Sequence, residues 1–204
     1  MPFQLLSIYR ELAKSGIVAL VLISVLGGYL CGHPFEQPLS WLRLAHTLAG
    51  ITEIRAGVYM LGDLFQAEIG THGHTDIAVT VLTAVIGRRP AENRILVDAG
   101  GIALSKDRST EAAPVDWGFG HARDLAGQPS LGRAIVKRAN QEHGIIARRP
   151  GSDRGAIDPA RYPVGTLLRV LPNHACATAA QHGAYHVLGA DGDIEAVWPR
   201  FSGW

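Results

Sequence analysis

The first part of the chain combines a helix-like spacing of apolar residues with a long apolar run. In FQLLSIYRELAKSG, residues 3–16, apolar residues recur near helical spacing, and the closing glycine is a common helix stop. The run that follows, residues 16–32, carries no charge and is typical of a parallel strand buried on both faces. A helix followed by a buried strand predicts an α/β unit here.

The apolar run also allows a membrane interpretation. Arg10 and Lys14 precede it, in the order of a signal peptide's basic region and apolar core. A spanning helix needs about 20 apolar residues, and this run is marginal in length and contains Gly27 and Gly28. We therefore expect a buried strand and no membrane association, with a membrane-anchored protein as the alternative.

From about residue 76 the pattern changes to short runs rich in valine, isoleucine and threonine. Residues 77–89 and 94–100 flank a Pro-Ala-Glu-Asn turn and predict a hairpin. Asp191-Gly192-Asp193 predicts another tight turn, whereas residues 131–144 are expected to begin as a short helix. Further short strands are predicted within 143–149, 165–178 and 184–198. This part of the chain is therefore predicted to be mainly β, as a small barrel or sandwich.

Composition excludes some classes of function. The 204 residues carry a formal net charge of +1 and no basic run, so nucleic acid is not expected as a partner. The two cysteines, Cys31 and Cys176, lie far apart in the sequence and form no disulfide framework. A reducing compartment is the default for such a chain, and we expect a cytoplasmic protein.

The sequence VLPNHACAT places a histidine and a cysteine two positions apart in a stretch that is expected to be extended. In a strand, His174 and Cys176 would project from the same face, and imidazole and thiolate are both good zinc ligands. Two protein ligands would leave coordination positions for water and substrate, as a catalytic metal requires. The alternative is a partly buried cysteine beside a hydrogen-bonded histidine, and the spacing alone leaves both open.

Other polar positions are weaker candidates. Gly57, in TEIRAGVY, could let backbone amides approach an anion closely, but the residues alone favour an ordinary strand-to-loop turn. Asp98, before two glycines, suits a strand that ends in a tight turn. His72, His74, His182 and His186 are expected to be solvated and not to bind a metal.

Five segments, in order, resemble the C-terminal half of the D-threonine aldolase / D-serine dehydratase family. They are GITEIRAGVYMLGD, VLTAVI, VDAGGIALSKD, QEHG and LPNHACAT, and the resemblance runs from about residue 50 to the closing VWPRFSGW. It implies an alanine-racemase-like fold in which a (β/α)8 barrel precedes a mainly β domain. We therefore predict an α+β chain: residues 1–75 as the C-terminal remnant of a (β/α)8 barrel and residues 76–204 as a mainly β domain.

The resemblance also implies a site and a chemistry. It places a divalent metal on His174 and Cys176, with the His-x-Cys form favouring zinc and dehydration over aldol cleavage. It places the phosphate of pyridoxal phosphate at the turn of Gly57 and Tyr59, and it places His143 near the active site. The implied activity is a pyridoxal-phosphate- and metal-dependent lyase reaction on small D-β-hydroxy amino acids.

The sequence departs from the family where the cofactor lysine is expected. The three lysines, Lys14, Lys106 and Lys137, lie outside any context like the family's P-H-x-K-T-H-K motif, and residues 26–49 also differ. A complete (β/α)8 barrel takes about 250 residues. We therefore expect an incomplete copy that is inactive alone, as a homodimer or with a complementary barrel chain. The alternative is a non-enzymatic β domain that binds a metal or a partner.

Overall fold

A computed structural model of the chain describes residue 23 and residues 57–152 and 157–201. The predicted N-terminal helix, the apolar run apart from Ile23, and the segment 26–49 lie outside the described residues. The remnant of a (β/α)8 barrel in residues 1–75 therefore stays a prediction. Within the described part of the chain, no helix is both long enough and apolar enough to cross a membrane.

The described residues form eight strands and three short α-helices. The strands are β1 (Val81–Arg89), β2 (Arg94–Val97), β3 (Gly120–Asp124), β4 (Ala134–Ala139), β5 (Gly144–Arg148), β6 (Leu167–Pro172), β7 (Ala184–Leu188) and β8 (Ile194–Pro199). The α-helices are α1 (Leu64–Glu68), α2 (Gly101–Leu104) and α3 (Ala175–Ala179). Short 3-10 turns cover Val58–Met60, His74–Asp76, Pro90–Glu92 and Pro159–Arg161.

Strands β1 to β6 close into a six-stranded barrel in the order β1-β2-β5-β4-β3-β6. Every ladder is antiparallel, and β1 closes the barrel against β6, with Val81 opposite Val170. Closure leaves the sheet without an exposed edge. Of the two predicted architectures, barrel and sandwich, the structure therefore has the barrel.

The predicted hairpin between residues 77–89 and 94–100 is confirmed. Strands β1 and β2 pair antiparallel, with Arg89 opposite Arg94, and the connecting 3-10 turn ends at Asn93, whose φ of 51° is left-handed. Asparagine tolerates that region better than most side chains because its short polar group can bond locally. The turn residues seen in the sequence thus determine this connection.

The helix expected at the start of residues 131–144 is wrong. Residues 134–139 form β4, which pairs with β3 on one side and with β5 on the other. Its alternation explains the difference: Ala134 and Val136 join the barrel interior while Ile135 packs on the outer face. β-branched residues with a buried partner on each face favour a strand over a helix.

Two apolar clusters lie on opposite sides of the barrel wall. The inner cluster fills the barrel with alternate residues of the strands, among them Val85, Ile95 and Ile146. The outer cluster lies against β3, β4 and β6 and consists of Leu64, Ile77, Trp117, Ile135 and Leu171. Leu64 of α1 therefore anchors residues 57–77 to the barrel exterior, where the polar groups described below also lie.

Strands β7 and β8 form a separate two-stranded sheet. Asp191–Gly192 makes the predicted turn: Gly192 has φ of 88°, and the Gly189 amide donates to the Asp193 carbonyl at 2.9 Å. Trp198 on β8 is 60% exposed. A two-stranded hairpin is marginally stable on its own, so this sheet depends on packing elsewhere in the protein.

Candidate metal centre

His174 and Cys176 lie at the start of helix α3, directly after strand β6. His174 is the residue that precedes the helix, with extended backbone (φ −133°, ψ 106°), and Cys176 is the second residue of the first turn. The strand expected for this stretch therefore ends at Pro172, and the extended backbone gives way to helix after His174. The sequence ACATA explains the change, because alanine is the strongest helix former.

The helix start relates the side chains of His174 and Cys176 differently from the predicted strand. Alternation along a strand does not place them on one face, as the sequence predicted; they share the first turn of a helix instead. Cys176 is an exposed, free thiol, and the His174 side chain is 32% exposed. Both donor atoms thus belong to groups that a metal ion from solvent can reach.

Asn173 fixes the backbone from which His174 projects. Its side chain is 1% exposed; it accepts from the Thr110 amide at 3.1 Å and donates to Thr110 Oγ1 at 2.8 Å and to the Gly118 carbonyl at 2.6 Å. These three hydrogen bonds satisfy most of the hydrogen-bonding capacity of an asparagine amide. A buried polar group left without its partners costs about 1–3 kcal/mol, so the end of β6 is firmly tied to residues 110–118.

Asp63 holds the helix start from the other side. Its carboxylate, 1% exposed, accepts from the Gln66 amide at 2.8 Å through Oδ1 and from the Ala175 amide at 2.9 Å through Oδ2. It therefore caps α1 and α3 together, meeting amides that have no partner within their own helices. Because Asp63 closely follows the turn at Val58–Met60, this bond also tethers that turn to the His174 segment.

Asp107 orients the imidazole of His174. Its Oδ2 lies 2.5 Å from His174 Nδ1, and Ser109 Oγ donates to its Oδ1 at 3.1 Å. The hydrogen bond from His174 holds the pKa of Asp107 below its ordinary value, although partial burial opposes the shift. With Nδ1 donating to a carboxylate, Nε2 carries the free lone pair, as in carboxylate–histidine pairs behind metal ions.

The loop that delivers Asp107 has an unusual backbone. Ser105, after α2, is buried and has φ of 68°, and its Oγ accepts from the Asp107 amide at 3.2 Å. Helix α2 is held against α3, where Thr178 Oγ1 donates to the Leu104 carbonyl at 2.9 Å. These contacts bring the VDAGGIALSKD segment to the His-x-Cys segment, and sequence reasoning gave Asp107 no role.

His143 lies in the turn between β4 and β5. Its Nε2 is 2.8 Å from Asn140 Nδ2, and no hydrogen bond or ring contact joins it to His174 within the described ranges. The turn packs closely under Gly100, where an added Cβ would lie 2.5 Å from the His143 amide nitrogen. The glycine is therefore required by close backbone approach, and the role of His143 near an active site stays a prediction.

Gly57 and Tyr59 lie at the 3-10 turn of Val58–Met60. Gly57 is exposed with φ of −90°, and a Cβ there would meet nothing within 4 Å, so its backbone does not demand glycine. The Gly62 amide donates to the Val58 carbonyl at 2.8 Å and closes the turn. Amides at the start of such a turn lack partners within it, which is what an anion would need.

Two of the histidines that were expected to be solvated, His182 and His74, are only partly exposed. His182 lies 2.9 Å from the Ala103 carbonyl through Nε2 and helps to join α3 to α2. His74 packs edge-on against Trp117 with 4.9 Å between ring centroids. By contrast, His186 is exposed on β7 as predicted. The environments of His182 and His74 result from contacts between distant segments, which the local sequence does not predict.

The polar group that sequence reasoning missed is centred on His121. This residue of β3 is 3% exposed, stacks on Trp117 with centroids 4.5 Å apart, and its Nε2 lies 3.0 Å from the Gly132 carbonyl. Burial, with Arg123 and Arg149 nearby, lowers the pKa of His121 to about 3. The sequence predicted no strand over residues 120–124, so no local signal marked His121 as buried.

A closed protein cage for a metal is not found among residues 57–152 and 157–201. No three histidine, cysteine, aspartate or glutamate side chains group there as a metal would require. His174 and Cys176, with Asp107 behind the imidazole, therefore offer two ligands at most. Such a pair suits an open site and not a structural one.

Comparisons with known proteins give a consistent family. The sequence profile of a family described as "Putative serine dehydratase domain" matches residues 78–188. D-threo-3-hydroxyaspartate dehydratase of Delftia sp. is 46% identical over 160 residues, which are 78% of this chain and 41% of that enzyme. D-serine dehydratase of Dictyostelium discoideum is 33% identical over 151 residues, 71% of this chain and 35% of that enzyme.

Solved structures of the Delftia enzyme are similar to this chain in fold as well as in sequence. The Delftia enzyme superimposes with a TM-score of 0.67 at 44% identity, covering 77% of this chain and 41% of that one. Two further structures of that enzyme carry alanine in place of a histidine and in place of a cysteine two positions later, and the cysteine variant is in the metal-free form. The chain thus spans about two fifths of the length of these relatives.

A shorter relative differs in coverage. An uncharacterized protein of Mycobacterium tuberculosis is 34% identical over 122 residues, which are 58% of this chain and 79% of that protein. Most of that protein is therefore matched by part of this chain.

The buried His121 predicts a pH dependence of stability. In the unfolded chain His121 takes up a proton near pH 6.5, whereas in the folded protein its pKa is about 3. The unfolded state binds the extra proton between these values, so the free energy of unfolding falls as pH falls from about 6.5, by roughly a few kcal/mol in total. Denaturant unfolding of wild type and His121→Phe between pH 7.5 and 4.5 should show a shallower fall in the variant.

His186→Phe is the matched control, because His186 is exposed on β7, and it should keep the wild-type slope. Equal slopes in His121→Phe and wild type would contradict the buried neutral histidine.

Proposed function

The chain belongs to the serine dehydratase domain family, as the resemblance predicted, and we propose that it is the metal-bearing β domain of a lyase acting on small D-β-hydroxy amino acids. The relatives named as dehydratases of D-serine and D-threo-3-hydroxyaspartate support dehydration as the reaction type. The alanine-racemase-like fold that the family resemblance implies, with a barrel before the β domain, supports a barrel-bearing partner segment. A cytoplasmic location and a homodimer stay predictions.

The observation that carries the proposal is the Asp107–His174 pair beside Cys176. One solved structure of the Delftia enzyme is the metal-free form of a variant in a cysteine that follows, by two positions, a histidine also chosen for substitution. His174 and Cys176 are the only His-x-Cys pair in the 204 residues. The carboxylate on Nδ1 leaves Nε2 free to bind a metal, so the donor set fits a divalent ion.

Zinc is the favoured ion, because it accepts both imidazole nitrogen and thiolate sulfur. A bound zinc ion would supply a Lewis acid that makes a substrate hydroxyl a better leaving group. The chain's own contribution is positional: Asp107 orients His174, Asn173 fixes the backbone before it, and Asp63 caps the helix that carries Cys176. Preorganisation of this kind keeps ligands in place without reorganisation on binding.

Pyridoxal phosphate fits only in part. The turn of Gly57 and Tyr59 is proposed to hold its phosphate. The described residues, however, offer no free lysine near His174 and Cys176, which are called the metal pair below. Lys106 donates through Nζ to the Ala139 carbonyl, and Lys137 is exposed on β4. We propose that a barrel-bearing chain supplies the Schiff-base lysine and that the present chain alone does not catalyse the reaction.

A second candidate function is a non-enzymatic β domain that binds a metal or a partner chain. The mycobacterial relative favours it, because 79% of that protein is matched by a segment of this chain. The two candidates share the metal pair and differ in whether a lysine-bearing barrel must be present. Reconstitution with such a barrel chain separates them: lyase activity in the mixture supports the first, and zinc binding without activity supports the second.

The metal pair predicts zinc retention that depends on Cys176 and on Asp107. Wild type should keep zinc through dialysis, and Cys176→Ser should keep much less, because the thiolate is one of only two ligands. Asp107→Asn should bind zinc about 10–100-fold more weakly, because the carboxylate behind the imidazole is lost. Competition titration against a zinc-sensitive dye gives both affinities.

Matched controls are available in the same chain. Cys31→Ser removes the other cysteine, and Asp193→Asn alters an exposed carboxylate in the β7–β8 turn; both should bind zinc as wild type does. A zinc affinity of Cys176→Ser equal to that of wild type would contradict the proposed site.

We expect that pyridoxal phosphate forms no lasting adduct with this chain. After incubation, dialysis and borohydride reduction, mass spectrometry should find no stoichiometric pyridoxyl group, because Lys106 is engaged with a backbone carbonyl and Lys137 is solvated. A yellow adduct that survives dialysis and maps to one lysine would show that the chain supplies its own Schiff base.

A further inference from the structure

A cavity of about 390 Å³ lies on the outside of the barrel, beside the outer apolar cluster. Its wall includes the side chains of His74, Trp117, His121, Arg133 and Arg149. None of them belongs to the His174–Cys176 pair or to the residues that orient that pair.

Two arginines, Arg133 and Arg149, lie in this wall. Arg149 is 9% exposed, and its guanidinium lies over the Trp117 ring with Cζ 4.9 Å from the centroid. Its amide donates to the Arg133 carbonyl at 3.1 Å, which brings the two arginines onto neighbouring positions. Within the described residues neither makes an ion pair with a carboxylate, and Arg149 Nε is buried without a hydrogen-bond partner.

A second arginine pair adds to the positive charge of the same face. Arg123 on β3 lies directly opposite Arg169 on β6, and both have a buried Nε with no partner in the described part of the chain. Like charges that face each other across a sheet are destabilising. Arg123 is also close enough to lower the pKa of His74 and of His121.

The acidic group beside the cavity is already engaged. Glu68 Oε1 accepts from Trp117 Nε1 at 2.7 Å and lies 3.8 Å from His74 Nε2. His121 is neutral at pH 7, since its pKa is about 3. Asp124 acts on Arg123, so the two arginines of the cavity wall, Arg133 and Arg149, are the ones left without an ion-paired carboxylate among the described residues.

We propose that this cavity binds a small oxyanion, a carboxylate or a phosphate group, through the guanidinium groups of Arg133 and Arg149. Guanidinium groups bind such anions with paired, charge-assisted hydrogen bonds. The Trp117 ring and the Glu68–Trp117 bond hold Arg149 in place, so little rotamer freedom is lost on binding. The proposal does not depend on the metal pair or on the lyase function.

The test uses the full chain and two probes, inorganic phosphate and acetate, added at constant ionic strength. The readout is the NMR signal of the Trp117 indole Nε1–H, assigned by its loss in Trp117→Phe. In wild type the signal should shift saturably, and Arg149→Gln and Arg133→Gln should each bind about tenfold more weakly, as expected for loss of one charged hydrogen-bond donor. A response to phosphate alone identifies a phosphate site, and a response to acetate identifies a carboxylate site.

Arg133→Gln keeps the test decisive if Arg149→Gln fails to fold, because Arg133 is exposed. Arg88→Gln, an exposed arginine on β1, should bind as wild type does. No saturable shift with either probe, or equal binding by wild type and Arg133→Gln, would overturn the proposal.

Discussion

The buried amide of Asn173 is the interaction on which the candidate site depends. It ends strand β6 and joins that strand to Thr110 and Gly118 through three hydrogen bonds. Because the amide is 1% exposed, any rearrangement that broke these bonds would leave buried polar groups unpaired. The barrel thus delivers the next residue, His174, at a defined point beside the loop that carries Asp107.

Two carboxylates complete the arrangement, each in a different way. Asp63 directs the backbone, since it accepts from the first amide of α3 and from the first turn of α1. Asp107 directs a ring, since it accepts from His174 Nδ1. The first ties the turn at residues 58–60 to the segment of His174 and Cys176, and the second leaves Nε2 of His174 as the free ring nitrogen. Both bonds join segments distant in sequence, so a barrel that closes correctly is a condition for the site.

Local signals in the sequence predicted the connections better than they predicted the site. The turns at Pro90–Asn93 and Asp191–Asp193 were predictable, because their residues suit the backbone that each turn requires. Strand β4 was not predictable in this way, because its two faces become buried only after the barrel closes. Spacing alone left the role of the His-x-Cys pair open, and only the family resemblance placed a metal on it. The strand geometry predicted for the pair was wrong, because ACATA forms a helix there.

The most direct measurement is a crystal structure of the zinc-loaded chain with anomalous data collected at the zinc edge. The account predicts one anomalous peak bonded to Nε2 of His174 and Sγ of Cys176, at about 2.0 and 2.3 Å, with the Asp107 carboxylate still on Nδ1. A zinc ion bound through Nδ1 after displacement of Asp107, or bound away from the start of α3, would contradict it.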